Sequence, residues 1–153
     1  MAGIAKFEVP PEGERWTHTW LVGEDFVLCL TQEGVIPDPL WDEFLDAVRP
    51  PHIKAIMGMT IGALTVHTNQ RRRAVEAFAG KRLSAVLETS VARGIATAMG
   101  WLGLNIKGFG WREVVKAIEY LDRPSLDAEW GLELVEELLS RSGAPTLDEL
   151  RSR

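Results

Sequence analysis

Short apolar runs and longer amphipathic stretches alternate three times between His52 and Leu121. Residues 53–59, 83–87 and 104–109 carry the apolar runs and predict strands, whereas 69–79, 91–101 and 111–121 carry helical periodicity. This alternation predicts crossover units over a largely parallel sheet, because parallel neighbours need a connection long enough to bring the chain back. The run 53–59 is apolar apart from Lys54, as in a strand covered on both faces, and 83–87 resembles it, so the two are expected as central neighbours. In 104–109, Asn105 and Lys107 alternate with Leu104 and Ile106, which predicts a place nearer the sheet edge.

Upstream, residues 16–22 and 26–31 are alternating or apolar and are parted by residues 23–25, the signal of a hairpin. A lead-in over 2–14 holds Pro10 and Pro11 and a short edge strand at 4–9. A helix is predicted over 40–48, with Asp38 as its cap, Pro39 in the first turn, and Leu40, Phe44, Leu45 and Val48 as its apolar stripe. In 69–79, Ala74, Val75 and Phe78 face inward, Arg71, Arg72 and Arg73 largely outward, and Gly80 stops the helix. Residues 91–101 hold Ala92, Gly94, Ala96, Ala98 and Gly100, a small-residue set suited to close approach to the sheet.

Beyond Pro124 the chain turns acidic and helical. Residues 126–140 are apolar on two sides, Trp130, Leu134 and Leu138 on one, and Leu132, Val135 and Leu139 on the other. One side packs on the domain; burial in the monomer and contact with a partner or a second copy both remain open for the other. A last short helix follows over 146–153. The expected organisation is an α/β domain over 1–124 with a C-terminal helical extension over 125–153.

At 153 residues the chain can bury a full core without staples. Its net charge of -5 argues against general nucleic-acid binding, which needs excess Lys and Arg against phosphate. Cys29 is the only cysteine and lies in an apolar run, so a buried structural thiol in a reducing cytoplasm is expected. Residues 1–10 lack the apolar core of a signal peptide, and no apolar span is long enough for membrane insertion. The six tryptophans are unusual; most should pack, with some left to cover a partner surface.

The order of hairpin, helix and three strand–helix units resembles the STAS family, the fold of anti-sigma factor antagonists. The resemblance spans roughly 16–121 and rests on this order together with the strand 53–59 and its polar loop 60–68, the passage from Ala85 through Glu88, Thr89 and Ser90, and the small-residue helix. The stretch 91–98, followed by Trp101 and by Ile106, Lys107, Gly108 and Phe109, is also similar to uncharacterised bacterial STAS-like proteins. The resemblance implies a mixed, mainly parallel sheet with core helices packed on it, and a non-catalytic switch that binds a protein partner. Such switches are often controlled by phosphorylation beside the second core helix. The family's Asp-Ser-Ser-Gly is absent here, so Thr65 and Thr68 are candidate phosphorylation sites by position only.

Open parallel sheets bind at the C-terminal ends of their strands. That edge gathers Thr60, Thr65, His67 and Thr68 from one loop and Glu88, Thr89, Ser90 and Arg93 from the next. A helix start near Arg93 could hold an anion, while the simpler role for Thr68 and Ser90 is helix capping. His67 and Glu88 are the only acid–base candidates on this edge, and no spacing pairs them with a nucleophile. His18 and His52 are isolated in sequence, so no metal site is expected, and neither Gly58–Gly62 nor Gly108–Gly110 has the spacing of a phosphate or cofactor loop.

These readings converge on a non-enzymatic cytosolic signalling or scaffolding module. Its partner, a kinase or other regulatory protein, is expected to contact Thr60, Thr65, His67, Thr68, Arg71, Arg72, Thr89, Ser90 and Arg93. Three alternatives stand beside it: a small-molecule or lipid carrier, an enzyme using His67 and Glu88, and a self-assembling protein joined as a homo-oligomer through the C-terminal helix.

Overall fold

The computed structural model describes residues 3–63, 66–88 and 104–153. Its strands are β1 (Lys6–Glu8), β2 (His18–Val22), β3 (Phe26–Thr31), β4 (Ala55–Thr60), β5 (Arg82–Val86) and β6 (Asn105–Phe109). They form one mixed sheet in sequential order, antiparallel from β1 to β3 and parallel from β3 to β6. The predicted hairpin is thus β2–β3, the two apolar runs are the neighbours β4 and β5, and the alternating run is the terminal strand β6. Among the described residues there are five α-helices: α1 (Asp38–Val48), α2 (Thr68–Phe78), α3 (Val114–Tyr120), α4 (Ala128–Arg141) and α5 (Leu147–Arg151). The helix expected over 91–101 lies outside the described residues.

Alternation along the strands sorts side chains onto two cores. Trp20, Val27, Ile56 and Leu83 face Trp41, Phe44, Leu45 and Val48 of α1 and Ala74 and Ala77 of α2. Leu28, Leu30, Met57, Met59 and Val86 face the other way, onto Val114 and Ile118 of α3, Leu134 and Leu138 of α4, and Leu147 and Leu150 of α5. Every residue of β3 is buried, as expected for a strand covered on both sides.

Two helix starts differ from expectation. Pro37, not Asp38, occupies the cap of α1; Asp38 is the first helical residue and its carboxylate turns instead toward α2. His67, not Thr68, caps α2, and Thr68 is the first residue of the helix. Gly80 ends α2 as predicted, at φ +79°, where a side chain would strain the backbone.

Both apolar sides of α4 are covered by the chain itself. Leu134, Val135, Leu138 and Leu139 are buried in the second core, and Trp130 and Leu132 pack half-buried against it. The approach is close: a Cβ on Gly131 would meet Ile118 Cγ2 at 2.7 Å. The C-terminal helices therefore close one face of the sheet.

Candidate functional site

The expected rim lies where β3, β4 and β5 end. Thr31 and Thr60 stand side by side there in the parallel ladder. Thr60 is buried, and its carbonyl accepts the Trp111 indole N–H at 3.2 Å, so it floors the rim without forming its surface. Thr65, Thr89, Ser90 and Arg93 lie outside the described residues.

The start of α2 is held by a compact polar network. His67 Nδ1 accepts the Gln70 backbone N–H at 3.2 Å, and Gln70 Oε1 accepts the His67 backbone N–H at 3.4 Å, a capping box with an imidazole in place of the usual hydroxyl. The Gln70 side chain is wholly buried and donates to the Ile36 carbonyl at 2.7 Å and to Asp38 Oδ1 at 3.1 Å. The Trp41 indole donates to the Gln70 carbonyl at 3.1 Å. His67 Nε2 lies 3.2 Å from the same Asp38 oxygen. Because Nδ1 accepts, the ring proton sits on Nε2 and is donated to Asp38.

Glu88 is also engaged. Its Oε1 accepts the Gly62 backbone N–H at 2.7 Å, and Arg153 Nη1 lies 3.4 Å from Oε2. Glu88 and Arg153, with Trp111 and Arg112, line a depression of about 390 Å³. His67 faces Asp38 of α1, and Glu88 faces Gly62 and the chain beyond α5. No hydrogen bond or ion pair among the described residues joins the two.

Arg71, Arg72 and Arg73 divide by function. Arg73 is half-buried and forms an ion pair with Asp42 of α1. Arg71 and Arg72 are exposed and have no ion-pair partner among the described residues. Thr68 is exposed one turn earlier, three residues before Arg71 and four before Arg72. This spacing puts all three within reach along one helix surface.

Other reactive groups are buried or tied. Burial pushes the Cys29 thiol up to about 12, which leaves it an inert packing group. Lys81 donates to the Pro50 and Ile53 carbonyls at 3.1 and 2.7 Å, and burial, then repulsion from Lys54, lowers its pKa. No group of three or more His, Cys, Asp or Glu suited to a metal ion occurs among the described residues. Nor is any helix among them long and apolar enough to cross a membrane.

The ring cluster around His18 has no counterpart in the sequence reading. It is buried against the rings of Trp20, Trp41 and Phe44, with centroids 5.8, 5.2 and 4.3 Å away. Its Nδ1 bonds Thr31 Oγ1 at 2.9 Å, Nε2 has no partner, and burial lowers its pKa to about 3. The sequence clue to the network at α2 was the three-residue spacing of His67 and Gln70, obscured because histidine is not among the preferred capping residues.

Compared with protein-family models, curated proteins and solved structures, the chain gives no match.

Proposed function

We propose that this chain is a non-enzymatic, cytosolic, STAS-like signalling or scaffolding module. Its partner, a kinase or another regulatory protein, docks on the strand-end loops and the outer surface of α2. The observation that carries this reading is the exposed Arg71–Arg72 pair, uncommitted among the described residues and set on a helix whose start is locked to α1 through Gln70 and Asp38. A rigid helix presenting two guanidinium groups suits an acidic or phosphorylated surface, since arginine binds carboxylate and phosphate in bidentate geometry. The mixed sheet with its leading hairpin supports the STAS-like assignment.

Thr68 fits the regulatory part of the proposal. A phosphate on it would lie in the first turn of α2, near the positive end of the helix dipole, and within reach of Arg71 and Arg72. It would then compete with the partner for the same cations. The test is capture of host proteins on the immobilised chain, followed by competition with a phosphothreonine peptide. Loss of the captured partner on adding the peptide is expected. Retention of every captured protein in the presence of saturating peptide would contradict an anion-directed contact.

A further inference from the structure

The neighbouring strands β5 and β6 present two cations on the side of the sheet that carries α3. Their parallel register sets Arg82 beside Asn105 and Ser84 beside Lys107, so Arg82, Asn105 and Lys107 share one side. Both cations lie against Tyr120, the last residue of α3. The Arg82 guanidinium carbon is 4.1 Å from the ring centre, and Lys107 Nζ is 5.6 Å from it. The ring is itself held, because the Tyr120 hydroxyl donates to Asn105 Oδ1 at 3.3 Å. Arg82 Nε donates to the Tyr120 carbonyl, one of those that a helix leaves unpaired at its end. That bond accounts for Nε only. The two Nη groups stay uncommitted among the described residues.

Both cationic side chains are exposed, and neither forms an ion pair among the described residues. Of the carboxylates along α3, Glu113 pairs with Lys116 at 3.7 Å, and Glu119 pairs with neither cation. Each cation gains from the ring, but two like charges brought to the same ring repel, in a chain whose net charge is -5.

We infer that Arg82 and Lys107 bind the dianion of a phosphate monoester. The fixed guanidinium presents its outer fork to two phosphate oxygens, and the lysine ammonium takes the third. A lone carboxylate would fill the fork and leave Lys107 unmatched. Anchoring Arg82 through Nε and the Tyr120 ring lowers the ordering cost that a free surface arginine meets on binding. A small phosphate ester and a phosphorylated side chain of another protein carry this same group. No residue is shared with the α2 surface, and the inference does not depend on it.

The test uses the full nitrogen-15-labelled chain at constant ionic strength. The Arg82 Nε–H signal is followed by NMR as a sugar phosphate or a phosphoserine hexapeptide is added. A saturable shift is expected, with affinity at least fivefold weaker for Lys107→Gln, which leaves the strand ladder intact, and unchanged for Arg71→Glu/Arg72→Glu. Affinity should also fall as the pH drops through about 6, where the phosphate becomes a monoanion. Tighter binding of the sugar phosphate would assign the site to a small metabolite, and tighter binding of the peptide to a phosphorylated protein. Absence of a saturable shift, equal affinity for Lys107→Gln, or equal affinity for acetate would overturn the inference.

Discussion

The Nε2 of His67 lies 3.2 Å from Oδ1 of Asp38, joining the residue that caps α2 to the first turn of α1. The contact closes a ring through Gln70, which bonds both residues, and so fixes the two helices at the strand-end rim. A histidine that accepts through one nitrogen and donates through the other acts as a strut between the two helices.

Removing the cap should therefore cost stability. His67→Ala is expected to destabilise the chain by about 1 kcal/mol, as for other N-caps, and His67→Asn to restore most of that. Gln70→Ala should cost more, about 2–3 kcal/mol, because it strands the buried Ile36 carbonyl. Urea unfolding of the three variants checks the order.

His18 predicts a pH dependence. Its proton affinity falls from the ordinary 6.5 to about 3 on folding, so between those values the unfolded chain binds more protons than the native one. Stability is then complete above about pH 6.5 and declines as the pH falls toward about 3. The slope is about 1.4 kcal/mol per pH unit, giving a loss on the order of 2 kcal/mol between pH 6.5 and about 5. His18→Gln should flatten the curve in this window, measured by urea unfolding at each pH.

Packing of α4 on Ile118 predicts that Gly131→Ala is destabilising, by about 1–3 kcal/mol, although alanine is the better helix former. Ending the chain at Pro124 should abolish cooperative unfolding altogether, since Leu134, Val135, Leu138 and Leu139 leave the core with it. Thermal unfolding followed by circular dichroism distinguishes this from a detachable extension, whose removal would leave the transition intact.

A phosphate on Thr68 should stabilise α2 by about 0.5–1 kcal/mol through the helix dipole and the neighbouring arginines. Chemical phosphorylation mimicry at this position, with Thr68→Glu, should raise the unfolding midpoint slightly and weaken partner capture. The comparison is made on the same immobilised chain.

Much of this architecture was legible in the hydrophobic pattern, for stated reasons. Asn105 and Lys107 marked β6 as an edge strand because both are exposed there, and the unbroken apolar run of β4 marked a strand buried on both sides. What escaped depended on contacts between elements distant in sequence. Asp38 was read as a local cap, but it serves α2, thirty residues on. Arg73 looked equivalent to Arg71 and Arg72 until α1 placed Asp42 beside it. His18 read as an isolated polar residue on a strand, and only the packing of Trp41 and Phe44 makes it a buried, half-satisfied ring. Asp25 likewise gains Arg123 at 2.9 Å, a pairing no local pattern announces.

The central claim is that the exposed arginines of α2 carry partner recognition. It is tested most directly by quantitative mass spectrometry of host proteins captured on wild-type and Arg71→Glu/Arg72→Glu chains side by side, with unfolding midpoints matched. The account predicts a captured protein depleted at least tenfold on the variant while the fold is retained. Identical capture by the two chains would contradict it.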